Sequence, residues 1–480
     1  MLKFKKVSSL LILASMLVSL AACGGDAPAA DTTAAPADTT EAVTTDDGLA
    51  HDDLGDIRFD GETFTMWQYT VLGGFRMEEE TGDILDDAIY ARNRAVEERL
   101  GVTVEYLDSG LGSSGAEQAQ SAAMIEANIL AGETGIHAYQ HVQHSSMPTL
   151  VNNLYFVDWN TIPNVDLTKP YWCQNAITDI NYGSKVFLMT GLYNYKVMAD
   201  ANCLIFNKRI LDEANVEYPY QSVLDGTWTY DKWMKIIADT ARDLNGDTVF
   251  DLANDQYGYV GSLWESPYTF FVGMGGDLLT KDKDNMPVSV IATERNVDII
   301  DRLLTLAHST DGSTISSKGS DMINTFSAGR AATIQCGIGY IPSSFRDMKD
   351  DFGFVPSPKF DEEQEDYNVW IANYTAMTYI PITNNELDMT GAVLEIMSME
   401  SYNRVIPAYV DKVLTVKSTR DTESEAMVPF IIERASFYDH SLNMLEIPQC
   451  VNKNIGLATY YAQKQTQVEE HIKKLAETYK

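Results

Sequence analysis

From Phe64 to Val142 the spacing of apolar residues switches repeatedly between two periods. Phe64-Thr65-Met66-Trp67 alternates as a half-buried strand does. Leu85, Ala88, Ile89, Val96 and Leu100 then fall on one face at helical spacing, and Gly101 is placed to end that helix. Val102, Val104 and Tyr106 alternate again, Gln118–Ala131 returns to the helical period, and Ile136–Val142 reads as a third strand. Strand, helix, strand, helix predicts an α/β sheet with right-handed crossovers. Further on, Trp233, Ile236, Ile237 and Thr240 share one helical face. Gly226 supplies a turn before it, Thr227 or Thr229 a cap, and Asp231 a negative charge in the first turn. Gln465–Tyr479 is a terminal amphipathic helix, with Val468, Ile472 and Leu475 inward.

The N-terminal region carries a different pattern. Lys3, Lys5 and Lys6 precede an apolar run from Leu10 to Leu20, too short to remain as a spanning helix. Leu20-Ala21-Ala22-Cys23 resembles the bacterial lipobox, which implies that residues 1–23 are an export signal and that Cys23 is lipidated. Acyl chains contribute about 0.8 kcal/mol per buried CH₂, enough to tether a soluble body to a membrane. Residues 24–56 are Ala, Thr, Asp, Pro and Gly with few large apolar side chains, so a flexible tether is expected there.

At 480 residues the chain is long enough for two lobes. A formal charge of −34 opposes nucleic acid and anionic lipid as partners. Cys23, Cys173, Cys203, Cys336 and Cys450 lie too far apart for a zinc knuckle or a CxxC redox pair. G-x-S-x-G, H-E-x-x-H and Walker-type sequences do not occur, and Gly273–Asp277 lacks the setting of a dinucleotide fingerprint, so no catalytic group is expected.

Oxygen-bearing side chains crowd the stretch after Thr240. Asp243, Asn245, Asp247 and Asp251, with the Val249 carbonyl and Asp255, approach the ligand spacing of a calcium loop. Such a loop turns on a glycine at its sixth position, where this chain has Thr248. No cofactor is expected; a solvated acidic loop capping its own amides is the first reading, and a structural calcium ion is the alternative.

Several segments resemble, in order, the sugar-type extracellular solute-binding proteins of ABC importers, the group that includes maltose-binding protein, in their Gram-positive lipoprotein form. These are Gly226–Trp233 (GTWTYDKW), Asp243–Asp247 (DLNGD) and Asn254–Gly258 (NDQYG), preceded by Lys169–Trp172 (KPYW), Tyr182–Gly191 (YGSKVFLMTG) and Leu204–Leu211 (LIFNKRIL). Phe326–Gly337 (FSAGRAATIQCG), Asp351–Pro358 (DFGFVPSP) and the tail from Tyr402 to Ile431 continue the series. The resemblance covers residues 57–480. It implies a two-lobed periplasmic-binding-protein-like α/β fold with an interlobe cleft and several hinge crossings. Residues 57–190 and 366–405 would form the N-terminal lobe, and residues 203–355 and 412–480 the C-terminal lobe. Asn207-Lys208 would open a helix of the second lobe.

Sugar binding needs flat apolar faces for the ring and planar polar groups for its hydroxyls. Candidates at predicted strand ends and crossings are Trp67, Gln68 and Tyr69, then His141, Gln143 and His144. Tyr193, Tyr195 and Asp200 lie in the first crossing, Trp264, Glu265 and Tyr268 beyond it, and Tyr340, Trp370 and Tyr374 later in the chain. Tyr268 matches the position that the resembled family uses for an aromatic on the cleft floor. The function implied is a lipid-anchored monomer on the outer face of the cell membrane that captures a mono- or oligosaccharide and delivers it to an ABC permease. A surface glycoside hydrolase and a sugar-binding sensor or adhesion module are the alternatives. Nothing singles out a catalytic pair among 69 acidic residues.

Overall fold

The structure, a computed structural model, describes residues 48–69, 76–414 and 422–480. Contacts divide the chain after His51, and the fold below is that of Asp52–Lys480. The export signal, Cys23 and residues 24–47 lie outside the described residues. Among the described residues no helix is long and apolar enough to cross a membrane.

Strand β1 (Thr63–Gln68) leads to a helix over Ile84–Leu100. The Asp83 carboxylate caps that helix on the amides of Leu85 and Asp86, and left-handed Gly101 ends it. β2 (Thr103–Asp108) runs parallel to β1. A helix over Gly115–Leu130 then starts with a reciprocal capping box between Ser114 and Glu117. β3 (Ala138–His141) lies on the other side of β1, also parallel.

The second sheet opens with β4 (Asn202–Asn207), whose last residue caps the helix Lys208–Glu213 through Asn207 Oδ1 and the Ile210 amide. β5 (Tyr257–Ser262) follows, then a hairpin of β6 (Leu279–Lys281) and β7 (Pro287–Ser289). β8 (Ser313–Ser316), β9 (Ala331–Gly337) and β10 (Phe352–Val355) complete that half. The chain returns through β11 (Val369–Trp370) to β12 (Met377–Tyr379), and β13 (Ala435–Ser436) pairs with β11. The orders are β12-β3-β1-β2 and β10-β4-β9-β5-β8. β12 therefore returns to the first sheet after the second is complete, and Ala201 bridges Ile371 where the two crossings run side by side. This is the two-lobed arrangement expected from the chain's segment order.

Local packing explains why the predicted helix after Gly226 forms. It spans Tyr230–Thr240 and buries Trp233, Ile236, Ile237 and Thr240. The Trp233 ring stacks on Phe270 at 4.4 Å and meets Tyr259 edge-on at 4.8 Å, while its Nε1 donates to Thr333 Oγ1 at 3.2 Å. Gly258 in β5 lets the helix rest directly on the strand, since a Cβ there would come within 2.4–2.8 Å of Ile237 backbone atoms.

Two boundaries differ from expectation. The folded unit begins at Asp52, not near Ile57, because Arg99 pairs with Asp52 at 2.9 Å and Lys169 pairs with Asp53. The terminal helix, Leu457–Thr478, packs on the Glu294–His308 helix, yet its end reaches the first half. There Thr478 Oγ1 donates to Asn152 Oδ1 at 3.1 Å and the Tyr479 hydroxyl to Asn181 Oδ1 at 3.2 Å. Cys173, Cys203, Cys336 and Cys450 are free thiols.

Candidate functional site

Four chain segments converge where the crossings enter the second sheet. β5 ends at Ser262, and the turn through Trp264 and Glu265 starts the helix Ser266–Gly273. β9 ends at Gly337 and turns into Tyr340. The first crossing delivers Asp200, and the second delivers Tyr374 and Thr375. A chain of hydrogen bonds fixes them. Thr375 Oγ1 donates to Asp200 Oδ2 at 2.7 Å, and Asn202 Nδ2 donates to the Asp200 carbonyl at 3.0 Å. Gln335 donates to Asn202 Oδ1 and accepts from Ser266 Oγ at 2.8 Å. Gly337 permits the close approach, because a Cβ there would lie 2.8 Å from the Ala199 carbonyl oxygen.

Burial and mutual repulsion set the charge state of this patch. Burial pushes the Asp200 carboxyl up to about 6. Glu265 is pushed up to about 7, first by burial and then by Asp200. The Tyr340 hydroxyl is raised first by Glu265 and next by burial, and Tyr374 by burial and then by Glu265. Tyr195 and Tyr409 stand beside Asp200, their rings 5.4 Å apart. Among the described residues the buried Tyr409 hydroxyl has no hydrogen-bond partner. Glu265, Tyr340 and Tyr374 are half-buried, while the Trp264 side chain is 49% exposed. Two carboxyl groups thus sit among phenol rings. That set accepts hydrogen bonds from hydroxyls and offers flat faces to C–H groups.

Other candidates are placed elsewhere, several of them in packing. Trp67 is buried edge-on to Tyr139, and Gln68 donates to Gln140 Oε1 at 3.1 Å inside the first sheet. Tyr69 stacks on His141, which is fully buried against Ser121. Tyr193 is fully buried and bonded to Thr378 Oγ1 at 2.6 Å. Tyr268 and Trp370 stack on each other at 5.3 Å beneath His440. Each lies at a strand end or crossing, as expected; the rings are packed on neighbouring rings, and Gln68 is held by Gln140. Gln143 is buried, and its Nε2 has no partner among the described residues. His144 is half-buried, with Nε2 2.9 Å from Gln118 Oε1 and Nδ1 3.2 Å from the Asn373 carbonyl oxygen, and burial lowers it to about 4. The sequence reading passed over Tyr409, Tyr438 and His440, which come from the tail, where no spacing signal distinguishes a site tyrosine from a core one.

The acidic loop holds itself through backbone amides. Asp243 accepts from Gly246 N at 2.7 Å and Thr248 N at 2.8 Å, and Asp247 Oδ1 accepts from Val249 N at 2.8 Å. Asn245 Oδ1 accepts from Asp247 N at 2.9 Å. Asp251 caps Ala253 and Asn254, and Asp255 caps Leu244 and Asp251. Among the described residues no group of three or more His, Cys, Asp or Glu gathers to hold a metal ion. The loop does not fit a calcium cage in this arrangement, so calcium enters no step of the function below. Thr248 does take the left-handed backbone, φ 67°, that its place in the loop demands. Thr248→Gly removes that strain and is expected to stabilise the protein by about 1 kcal/mol, read as a higher urea midpoint. An unchanged or lower midpoint would show that the strain is negligible.

Comparison with solved structures defines the fold as that of the two-lobed solute-binding proteins. An ABC substrate-binding protein of Listeria monocytogenes in complex with cycloalternan aligns with a TM-score of 0.53 at 13% identity, over 86% of this chain and 99% of that one. The GacH receptor of Streptomyces glaucescens, solved unliganded and with acarbose, gives 0.53 at 17% identity, over 88% and 98%. A solute-binding protein of Thermotoga lettingae bound to α-D-tagatose gives 0.55 at 14% identity, over 86% and 100%. No family model matches the chain. No curated protein matches it either.

Proposed function

We propose that this protein captures a neutral carbohydrate at the Asp200–Glu265–Tyr340–Tyr374 patch and does no chemistry on it. The observation that carries this reading is the meeting of two carboxyl groups with half-buried tyrosines where the crossings join the two sheets. The solved proteins of this fold named above were crystallised with cycloalternan, acarbose and tagatose. Closure of the two halves around a sugar would exclude water from its hydrogen bonds, and the ligand would favour the closed form by binding it better. Lipidation at Cys23 would hold the body on the outer face of the membrane, and an ABC permease would receive the sugar.

A glycoside hydrolase also uses two acids, one with a raised pKa. Here burial raises both, Asp200 to about 6 and Glu265 to about 7, so recovery of the oligosaccharide uncleaved is what separates capture from hydrolysis. A thermal-shift screen of mono- and oligosaccharides tests the reading. At least one sugar is expected to raise the melting temperature, and stabilisation by none of them would overturn it.

A further inference from the structure

The second sheet sets two cysteines face to face. In the antiparallel register of β4 and β9, Cys203 lies opposite Cys336, between the Asn202–Gly337 and Leu204–Gln335 rungs. Two residues along, Ile338 N donates to the Ala201 carbonyl at 3.0 Å. Rungs alternate in kind, so the cysteines occupy a hydrogen-bonded rung like that one. Cα atoms on such a rung stand about 5.5 Å apart, within the range of about 4.4–6.8 Å that a disulfide spans.

The sulfur positions agree with the register. Residues directly opposed in a ladder project from the same face of the sheet. Cys203 Sγ lies 3.5 Å from the Cys336 carbonyl oxygen and donates to it, so it leans over the facing residue. Burial, and after it Cys203, holds the Cys336 thiol well above the usual thiol range. The other two cysteines among the described residues lie outside any strand. Cys173 precedes the helix Gln174–Ile180, and Cys450 lies within the helix Ile447–Lys453.

The geometry points to a redox pair: Cys203 and Cys336 close to a cross-strand disulfide as the chain folds in the presence of a soluble disulfide oxidant. One S–S bond forms, the two thiols give up two protons and two electrons, and the external disulfide takes them up and leaves as two thiols. Folding is the moment for it, because both side chains are buried in the finished sheet and buried thiols are inert. The Cβ atoms of facing residues stand about 4.5–5.5 Å apart, and a disulfide holds them at about 3.5–4.5 Å, so closure draws β4 and β9 together. The bond lies one rung from Asn202 and Gly337. Asn202 holds the Asp200 carbonyl and Gln335, and the chain turns into Tyr340 just after Gly337. The pair therefore ties the two strands on which the candidate patch stands.

Refolding of the reduced, denatured full chain with oxidised glutathione, then alkylation and non-reducing peptide mapping, tests the inference. The expected product melts cooperatively and yields one peptide pair joined through Cys203 and Cys336, two hydrogens lighter than its separate parts. Cys173 and Cys450 should be recovered alkylated. Cys203→Ala and Cys336→Ala should each abolish the joined pair and leave the remaining partner alkylated. Should either variant fail to fold, the wild-type map decides alone. Alkylation of both cysteines in the wild type, a glutathione adduct in place of the link, a link from either to any other cysteine, or a joined product that lacks a cooperative melt would overturn it.

Discussion

Glu265→Ala is expected to weaken carbohydrate binding by up to about 10-fold, the worth of one hydrogen bond to a neutral group, about 0.5–1.5 kcal/mol. Glu265→Gln should act in the opposite direction on stability. The Glu265 carboxyl is held up to about 7 by burial and by Asp200, well above the usual carboxylate range. In the folded protein it therefore keeps a proton that the unfolded chain gives up as pH rises past the ordinary glutamate value. Its contribution to stability is complete below that value and is lost as pH climbs toward about 7. Asp200, held up to about 6, follows the same course over a lower window. Replacing either acid by its amide should stabilise the protein at pH 8 by order 1–3 kcal/mol and flatten the melting temperature between pH 5 and 8. Melts of Glu265→Gln and Asp200→Asn across that range check the sign. A steeper decline with pH in the amide variants would contradict the electrostatic picture.

Trp233→Ala is expected to destabilise the protein by about 3–5 kcal/mol, the range for removing a large buried aromatic. Its ring is fully buried between Tyr259 and Phe270, and its indole donor is matched at Thr333. Truncation leaves a cavity under β5 and removes one of the two hydrogen bonds of Thr333 Oγ1 in β9, which still donates to the Gly258 carbonyl at 2.7 Å. Both strands end in residues of the candidate site, so carbohydrate affinity should fall as well. Trp233→Phe keeps most of the volume and should lose much less. Chemical denaturation of both variants separates packing from the hydrogen bond, and equal losses would assign the whole effect to the indole N–H.

The first half of the fold was legible because each element carries its own period and punctuation. Asp83 and Gly101 bracket one helix and the alternation around Phe64 and Val104 marks paired strands, whereas the next helix starts at Gly115 on a Ser114–Glu117 capping box, three residues before the expected Gln118. The second half was legible mainly through the order of its segments. The candidate site was only partly so. Glu265, Tyr340 and Tyr374 lie at strand ends and crossings, where the sheet topology directs functional residues. Trp67, Tyr193, Tyr268 and Trp370 occupy the same kind of position, yet neighbouring rings bury them. Nothing in the linear sequence tells a tyrosine facing solvent from one stacked on Trp370. Asp200 gains its raised carboxyl from burial, and it is held by Thr375, which lies 175 residues away in the chain. Tyr409, Tyr438 and His440 arrive from a tail whose destination depends on the closing pair of β11 with β13.

Equilibrium dialysis of a labelled oligosaccharide against the wild-type protein and a Tyr340→Ala/Tyr374→Ala variant is the most direct measurement. The expected result is saturable retention of chemically intact sugar by the wild type and its loss in a variant that still melts cooperatively. Retention that survives the double substitution, or recovery of the sugar in cleaved form, would contradict capture at this patch.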